Sequence, residues 1–244
     1  LLLNVAVVLQ KGKILGVIPK TYLPNYGEFY EKRWFASSQD LRPTEVVIAG
    51  QKILISAKPK LFSTANGVLF GIEICEDVWA PIPPSNRLTL SGADIIFNLS
   101  ASDELIGKHN YLKSLLSQQS ARTICGYIYS GSGFGESTQD LVFGGNALIY
   151  ENGRLIASGK RFSLESQMVT SQIDVEMLRN ERRDNTTYIN AQRSSELGIE
   201  QIDIISCFER ETNVFELERA IDPHPFIPTG EGRDQSFSDI LNIQ

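Results

Sequence analysis

The stretch GVLFGIEICEDVW at residues 67–79 combines a dense apolar run with a cysteine and two acidic residues. Its first part, Gly67–Ile74, predicts a β-strand, because large apolar residues dominate it. The carboxyl end of a strand is where α/β proteins place reactive groups. Burying Glu76 and Asp77 next to a cysteine is costly unless they serve a purpose there. The stretch therefore indicates an α/β fold in which Cys75 is a candidate reactive thiol.

Strand and helix patterns occur on both sides of this stretch. Further strands, several of them in hairpins, are predicted over Val5–Leu9, Ile14–Ile18, Val46–Ala49, Ile53–Ser56, Ala93–Asn98, Ile124–Tyr129, Asn146–Tyr150, Arg154–Ala157 and Met168–Ile173. Helices are predicted over Leu88–Ser91, Lys108–Arg122, Val175–Arg182 and Asp234–Ile243. Residues 184–212 carry a weak pattern, which we interpret as loop and short elements. Strands mixed with helices throughout favour one layered α/β domain.

Composition excludes several classes of protein. Of the 244 residues, 42% are hydrophobic and 21% are charged, which is ordinary for a globular chain. The net charge of −6 disfavours binding to nucleic acid or to an anionic membrane, and no apolar run approaches the roughly 18 residues of a membrane span. Three cysteines are too few and too far apart for a disulfide framework or a zinc ribbon. We therefore expect a reducing, cytoplasmic setting and no metal site.

Catalysis by this chain has few residue types to draw on, since only His109 and His224 supply imidazoles. Lys20 follows an apolar strand, and a lysine near Cys75 can lower the pKa of the thiol and hold a developing oxyanion. Two plainer interpretations remain open. In the first, Cys75 is a small core residue, as we expect for the other two cysteines. In the second, Lys20 is an ordinary surface lysine.

Five blocks of the sequence have a family pattern: LNVAVVLQKGKILGVIPK (3–20), KTYLPNYGEFYEKRWF (20–35), GIEICEDVW (71–79), NLSAS (98–102) and HPFIPTGEGRDQSFSDILNIQ (224–244). Together they resemble the nitrilase superfamily of carbon–nitrogen hydrolases, in which a lysine block and a cysteine block occur in this order. More narrowly, the set is similar to the glutaminase domain of the glutamine-dependent NAD synthetases, and the tail resembles the segment joining that domain to an ATP-using synthetase domain.

The resemblance implies a four-layer α-β-β-α sandwich and a Glu-Lys-Cys catalytic triad. Cys75 is then the nucleophile that attacks the side-chain amide of glutamine, and Lys20 stabilises the oxyanion with help from the backbone N–H of Glu76. Ammonia leaves, and water hydrolyses the glutamyl thioester to glutamate. The ammonia supplies an ATP-dependent conversion of deamido-NAD to NAD in the synthetase domain. No cofactor is expected for the glutaminase step, and ATP and Mg are expected only in the synthetase domain.

The resemblance also implies contacts to the substrate. Tyr26, Ser102 and Lys108 meet the backbone groups of glutamine, and Glu31 binds its amine or supports Lys20. Together with Glu76, these residues form the predicted substrate-binding set. Lys108 lies where relatives carry an arginine, and a lysine loses the bidentate pairing with a carboxylate.

One departure from the family concerns the general base. The family places this glutamate well upstream of its lysine, whereas no Asp or Glu precedes Lys20 here. We therefore expect the N-terminal elements to be missing, with an incomplete nitrilase-like domain over 1–221 and a linker with the start of the synthetase domain over 222–244. We also expect this chain alone to be inactive.

Other interpretations of function are a stand-alone amidase acting on another small amide and a catalytically silent nitrilase-like scaffold. Apart from glutamine, the expected partners are the synthetase domain and further copies of the chain in a homo-oligomer.

Overall fold

The architecture is taken from a computed structural model, which describes residues 1–137, 141–193, 202–207, 216–224, 226–230 and 232–243. The strands are β1 (Val5–Gln10), β2 (Lys13–Pro19), β3 (Thr44–Ile48), β4 (Gln51–Ile55), β5 (Lys60–Ser63), β6 (Leu69–Ile74), β7 (Ile95–Ser100), β8 (Gly126–Gly131), β9 (Ala147–Glu151), β10 (Arg154–Ser158) and β11 (Asp203–Ser206). The α-helices are α1 (Pro84–Leu90), α2 (Lys108–Arg122), α3 (Val175–Asp184), α4 (Thr186–Arg193) and α5 (Arg233–Ile243).

Seven strands form the main sheet, in the order β10-β9-β8-β7-β6-β5-β11. The pairs β6–β7, β7–β8 and β5–β11 are parallel, and the remaining neighbours are antiparallel. Two separate hairpins, β1–β2 and β3–β4, form the other β structure of the described residues. The helices between the parallel strands and the mixed sheet confirm the predicted α/β class.

Strand β6 lies between a layer of helices and a hairpin. Because successive side chains of a strand point to opposite faces, Ile72 and Ile74 pack with the β1–β2 hairpin, whereas a Cβ at Gly71 would meet Leu88 of α1. The main core between sheet and helices consists of buried residues of α1, α2 and the central strands, including Leu88, Ile96, Leu112, Leu116, Tyr127, Tyr129, Leu148 and Tyr150. The layering places the end of β6 against both the hairpin and the helices.

The structure corrects one sequence prediction. Residues 168–173 form no strand, since they pair with no other strand; Met168 is exposed, while Ile173 packs beside Ile124 and Tyr188. The described parts of the region 184–212 contain the short helix α4 and the short edge strand β11, in agreement with the loop and short elements expected there. The sequence also gave no prediction of β5, whose four residues show no alternation of burial.

The chain divides into two compact units, Leu1–Val214 and Phe215–Gln244. All strands and the first four helices belong to the first unit, and α5 belongs to the second. The predicted domain boundary between residues 221 and 222 stays a prediction. None of the described helices has the length and apolar character needed to cross a membrane.

Candidate active site

Cys75 lies at the turn where β6 ends and a 3-10 helix, Cys75–Trp79, begins. Its φ angle is +48°, a left-handed conformation that is rare for a residue with a Cβ and costs about 1–3 kcal/mol. The side chain is largely buried. Asn98 of β7 contacts both backbone groups of Cys75, since its Oδ1 accepts from the Cys75 N–H at 3.2 Å and its Nδ2 lies 3.5 Å from the Cys75 carbonyl oxygen.

Asp77 ties this turn to the segment that follows Lys20. One carboxylate oxygen accepts the N–H of Ile74 at 2.9 Å, and the other accepts the N–H groups of Thr21 at 3.1 Å and Tyr22 at 2.8 Å. Burial raises the pKa of Asp77 to about 6, against the opposing effect of these hydrogen bonds. The buried carboxylate therefore fixes the end of β2 relative to the end of β6.

Lys20 follows β2 directly and is 3% exposed. Its ammonium group forms an ion pair with Glu31. The second carboxylate oxygen of Glu31 accepts a hydrogen bond from Asn4 Nδ2 at 2.6 Å. The backbone N–H of Lys20 donates to the carbonyl of Asn4 at 2.9 Å, so that Asn4 holds both members of the ion pair. This burial overturns the interpretation of Lys20 as a surface lysine.

A cavity of about 480 Å³ brings the thiol and the ion pair together. Cys75, Lys20 and Glu31 all line it. The rest of the lining is mostly apolar and comes from β1, β6, β7 and adjoining loops, with Asn4, Val5, Ala6, Pro24, Phe29, Ile74, Leu99, Ser100, Ala101, Leu141 and Phe143. A thiol, a buried ammonium group and a carboxylate around one cavity are the groups that acyl transfer through a thioester requires.

Tyr26 and Glu76, two of the predicted substrate contacts, interact with each other. The Tyr26 hydroxyl donates to Glu76 Oε1 at 2.6 Å. Burial and this hydrogen bond to a carboxylate raise the pKa of Tyr26. Glu76 lines a second cavity of about 570 Å³, together with Trp79, Thr21 and other residues. The structure therefore places this pair beside the end of β6, outside the lining of the cavity that contains Cys75.

Lys108, the first residue of α2, forms an ion pair with the buried Asp103. Its Nζ lies 5.9 Å from the ring centre of Phe29 and 5.6 Å from that of Trp79, within the range of cation–π attraction. Phe29 lines the Cys75 cavity, whereas Lys108 itself does not. Ser102 is not among the lining residues either. The roles predicted for Lys108 and Ser102 stay predictions.

The remaining candidate residues lie apart from this cavity. His109 contacts Asn146 at 2.9 Å, and burial lowers its pKa. Cys125 is fully buried in the main core, as predicted, and burial raises the pKa of its thiol to about 11. Within the described ranges, no three or more His, Cys, Asp or Glu side chains are grouped so that they could hold a metal ion.

Sequence reasoning assigned no role to three residues that shape the site. Asn4 and Asn98 gave no local signal, because a single asparagine in or beside an apolar strand has many structural explanations. Asp77 did give a signal, since an acidic pair directly after a buried strand is costly without a purpose. The structure identifies that purpose as the capture of three backbone N–H groups.

Relatives of known sequence cover the whole chain. No protein-family profile matches it. The glutamine-dependent NAD(+) synthetase of Mycobacterium tuberculosis is 36% identical over 245 residues, which span 99% of this chain and 36% of the relative. The enzyme of the same description from Thermotoga maritima is 32% identical over 71% of this chain and 26% of its own length. The chain thus spans about a third of the length of the curated relatives it matches.

Solved structures agree with these sequence matches. A glutamine-dependent NAD(+) synthetase from Cytophaga hutchinsonii superposes with a TM-score of 0.58 and 26% identity, covering 69% of this chain and 27% of that one. A carbon–nitrogen hydrolase from Helicobacter pylori superposes over 77% of this chain and 62% of that one, with a TM-score of 0.56; its 21% identity supports the fold alone. The chain belongs to the family of the glutamine-dependent NAD(+) synthetases, and its fold is the α/β fold of the nitrilase superfamily.

Proposed function

We propose that this chain is the glutaminase part of an enzyme that hydrolyses the side-chain amide of glutamine and supplies the released ammonia to an ATP-dependent synthesis of NAD from deamido-NAD. The main observation in support is that Cys75 and the buried Lys20–Glu31 ion pair line the same cavity. Identity to glutamine-dependent NAD(+) synthetases over 99% of the chain supports glutamine as the substrate.

In the proposed reaction, the Cys75 thiolate attacks the carboxamide carbon of glutamine. The general-base glutamate that the family resemblance implies takes the thiol proton and delivers it to the amide nitrogen, the C–N bond breaks, and ammonia leaves a glutamyl thioester behind. Water then adds to the thioester carbon and gives a proton to the same base, which returns it to the sulfur as the C–S bond breaks, so that glutamate and the free thiol are formed. The developing oxyanion accepts hydrogen bonds from the ammonium group of Lys20 and from the backbone N–H of Glu76. Donors already held in place for that charge lower the activation barrier of the reaction.

Glu31 has a supporting part in this proposal. Its carboxylate is shared between Lys20 and Asn4, and we assign to it the orientation of the Lys20 ammonium group. Tyr26, Ser102 and Lys108 contact the amino-acid end of glutamine, in keeping with the family resemblance. Synthesis of NAD, with its ATP and Mg, belongs in this proposal to a synthetase domain, since the chain spans 36% of its relatives' length.

The proposed setting is a reducing cytoplasm and a homo-oligomer. Support for the first comes from the three cysteines, all of which carry thiols in place of disulfides. The second rests on the family resemblance, and light scattering of the purified protein tests it.

The test is ammonia release from glutamine by the protein as it is expressed from its gene. We expect Cys75→Ala to abolish ammonia release while NAD synthesis from added ammonium salt continues. Cys207→Ser is the matched control, since Cys207 lies beyond the end of β11 near the edge of the sheet, and it should leave both rates unchanged. Glutamine-driven rates that are equal in Cys75→Ala and the parent contradict the proposal.

A further inference from the structure

A series of hydrogen-bonded, buried polar side chains contacts the backbone of Cys75. Asn98, which is fully buried, reaches both the N–H and the C=O of Cys75. Its Nδ2 lies 3.2 Å from the hydroxyl oxygen of Tyr127. The Tyr127 hydroxyl in turn donates to Glu73. The series therefore runs from β8 through β7 to the two ends of the short segment 73–75.

Every member of this series is desolvated and has a partner. Tyr127 is fully buried, and Glu73 is 1% exposed. The second carboxylate oxygen of Glu73 accepts the N–H of Ser85, in the first turn of α1, at 2.8 Å. Burying a carboxylate, an amide and a phenol without water is costly unless each is hydrogen-bonded in a defined orientation. The arrangement consequently fixes which way the Asn98 amide faces.

The orientation of that amide decides whether Cys75 can keep its left-handed backbone. With Oδ1 towards the Cys75 N–H, the amide accepts a hydrogen bond that stabilises the +48° conformation. The opposite orientation would place an NH₂ donor against the N–H donor. The Tyr127 hydroxyl selects the first orientation, because it donates to Glu73 and so accepts from the Asn98 NH₂ group.

We propose that Asn98, oriented by Tyr127 and Glu73, is a positioning residue that holds Cys75 in its strained backbone conformation and thereby aims the thiol at the substrate amide. The proposal rests on the proposed function for its reaction, although the geometry of the thiol is independent of the substrate. A displacement of about 1 Å from the reactive geometry costs on the order of 100-fold in rate. Loss of the hydrogen-bond chain therefore lowers turnover more than it weakens binding of glutamine.

Tyr127→Phe tests the proposal with the removal of one oxygen atom. Tyr150→Phe is its matched control, because Tyr150 is Tyr127's cross-strand partner and is equally buried. Its hydroxyl bonds instead to the Lys113 carbonyl of α2, at 3.2 Å. We expect Tyr127→Phe to lower kcat for ammonia release about tenfold with KM within twofold, and Tyr150→Phe to change neither. Asn98→Ala should lower kcat about 100-fold.

A second readout does not depend on glutamine. The rate of Cys75 alkylation by iodoacetamide, followed by mass spectrometry of the peptide that contains Cys75, reports the geometry and ionisation of the thiol. Across a pH series, Tyr127→Phe and Asn98→Ala should alkylate at least threefold more slowly than the parent and Tyr150→Phe.

The combined results separate this inference from the proposed function. If the parent releases no ammonia but alkylation slows in the two variants, the positioning role stands and the function fails. If the parent releases ammonia and Tyr127→Phe matches Tyr150→Phe in both kcat and alkylation, the positioning role is wrong. Should Asn98→Ala fail to fold, Tyr127→Phe alone decides, since it leaves the shape of the core almost unchanged.

Discussion

Lys20 and Glu31 form an ion pair whose two members are both largely buried, at 3% and 14% side-chain exposure. A buried pair contributes little net stability, yet loss of one partner leaves the other charge uncompensated. Asn4 is the other described partner of the Glu31 carboxylate. At the scale of single residues, the ion pair consequently links the role proposed for Lys20 to the stability of the site.

We predict that Lys20→Met affects rate and stability through separate causes. Loss of the oxyanion donor should lower kcat for ammonia release on the order of 100-fold. The unpaired Glu31 carboxylate should lower the free energy of unfolding by about 3 kcal/mol. Steady-state ammonia release and urea unfolding measure the two effects.

The double variant Lys20→Met/Glu31→Gln is the control for this prediction. It removes the unpaired charge and should regain part of the lost stability, while kcat stays as low as in Lys20→Met. A kcat in Lys20→Met within twofold of the parent would mean that the lysine takes no part in the reaction.

At the scale of elements, the hairpin turns illustrate how local sequence and packing act together. The β1–β2 turn contains Lys11 and Gly12 at φ +48° and +76°, and the β9–β10 turn contains Asn152 and Gly153 at φ +45° and +83°. These angles are those of two-residue turns that favour Asn-Gly or a similar pair. The first turn has open space around its glycine, whereas the second packs against α2.

We predict that Gly153→Ala is more destabilising than Gly12→Ala. Both variants force a Cβ into a left-handed conformation, at a cost of about 1–2 kcal/mol. A Cβ at Gly153 would also lie 2.8 Å from the Cβ of Ala121 on α2, while a Cβ at Gly12 meets nothing within 4 Å. The contact should add about 1–3 kcal/mol to the loss.

Urea unfolding of the two variants measures the difference directly, because the effect of alanine on the unfolded chain cancels between them. Equal losses of stability would mean that α2 yields to the added methyl group without cost.

At the scale of the whole molecule, buried carboxyl groups make stability depend on pH. Burial raises the pKa of Glu73 to about 7 and that of Asp77 to about 6. The folded protein therefore binds protons that the unfolded chain, with its ordinary carboxyl pKa values, has already released. Since the folded state holds more protons across this window, the free energy of unfolding must fall as the pH rises.

We predict that the Glu73 contribution to the free energy of unfolding is fully present below pH 4.5 and is lost as the pH rises through about 7. Its size is about 3 kcal/mol, from a pKa raised from 4.5 to about 7 in a fully buried group. In Glu73→Gln, the fall in the free energy of unfolding between pH 4.5 and 7.5 should be about 3 kcal/mol smaller than in the parent. Urea unfolding at four pH values tests this, with the exposed Glu165→Gln as the control. Parallel profiles for Glu73→Gln and the parent would contradict the prediction.

The sequence by itself determined what depends on neighbours along the chain. Apolar alternation and turn residues predicted both small hairpins, the helix over 108–122 and the strand before Cys75, because backbone propensity and turn geometry are local. The cysteine and lysine blocks, in their order, identified the two residues that line the cavity with Glu31.

Tertiary structure decided what depends on residues far apart. Strand β11 pairs with β5, about 140 residues away along the chain. The residues of β5 show no alternation of burial that a sequence pattern could reveal, and the alternation of β11 extends over only four residues. The contacts of Asn4 with Glu31, of Asp77 with Thr21 and of Asn98 with Cys75 likewise join separate elements. Their hydrogen bonds become favourable only when folding removes water from both partners at once, and a linear pattern of residue types does not encode that condition.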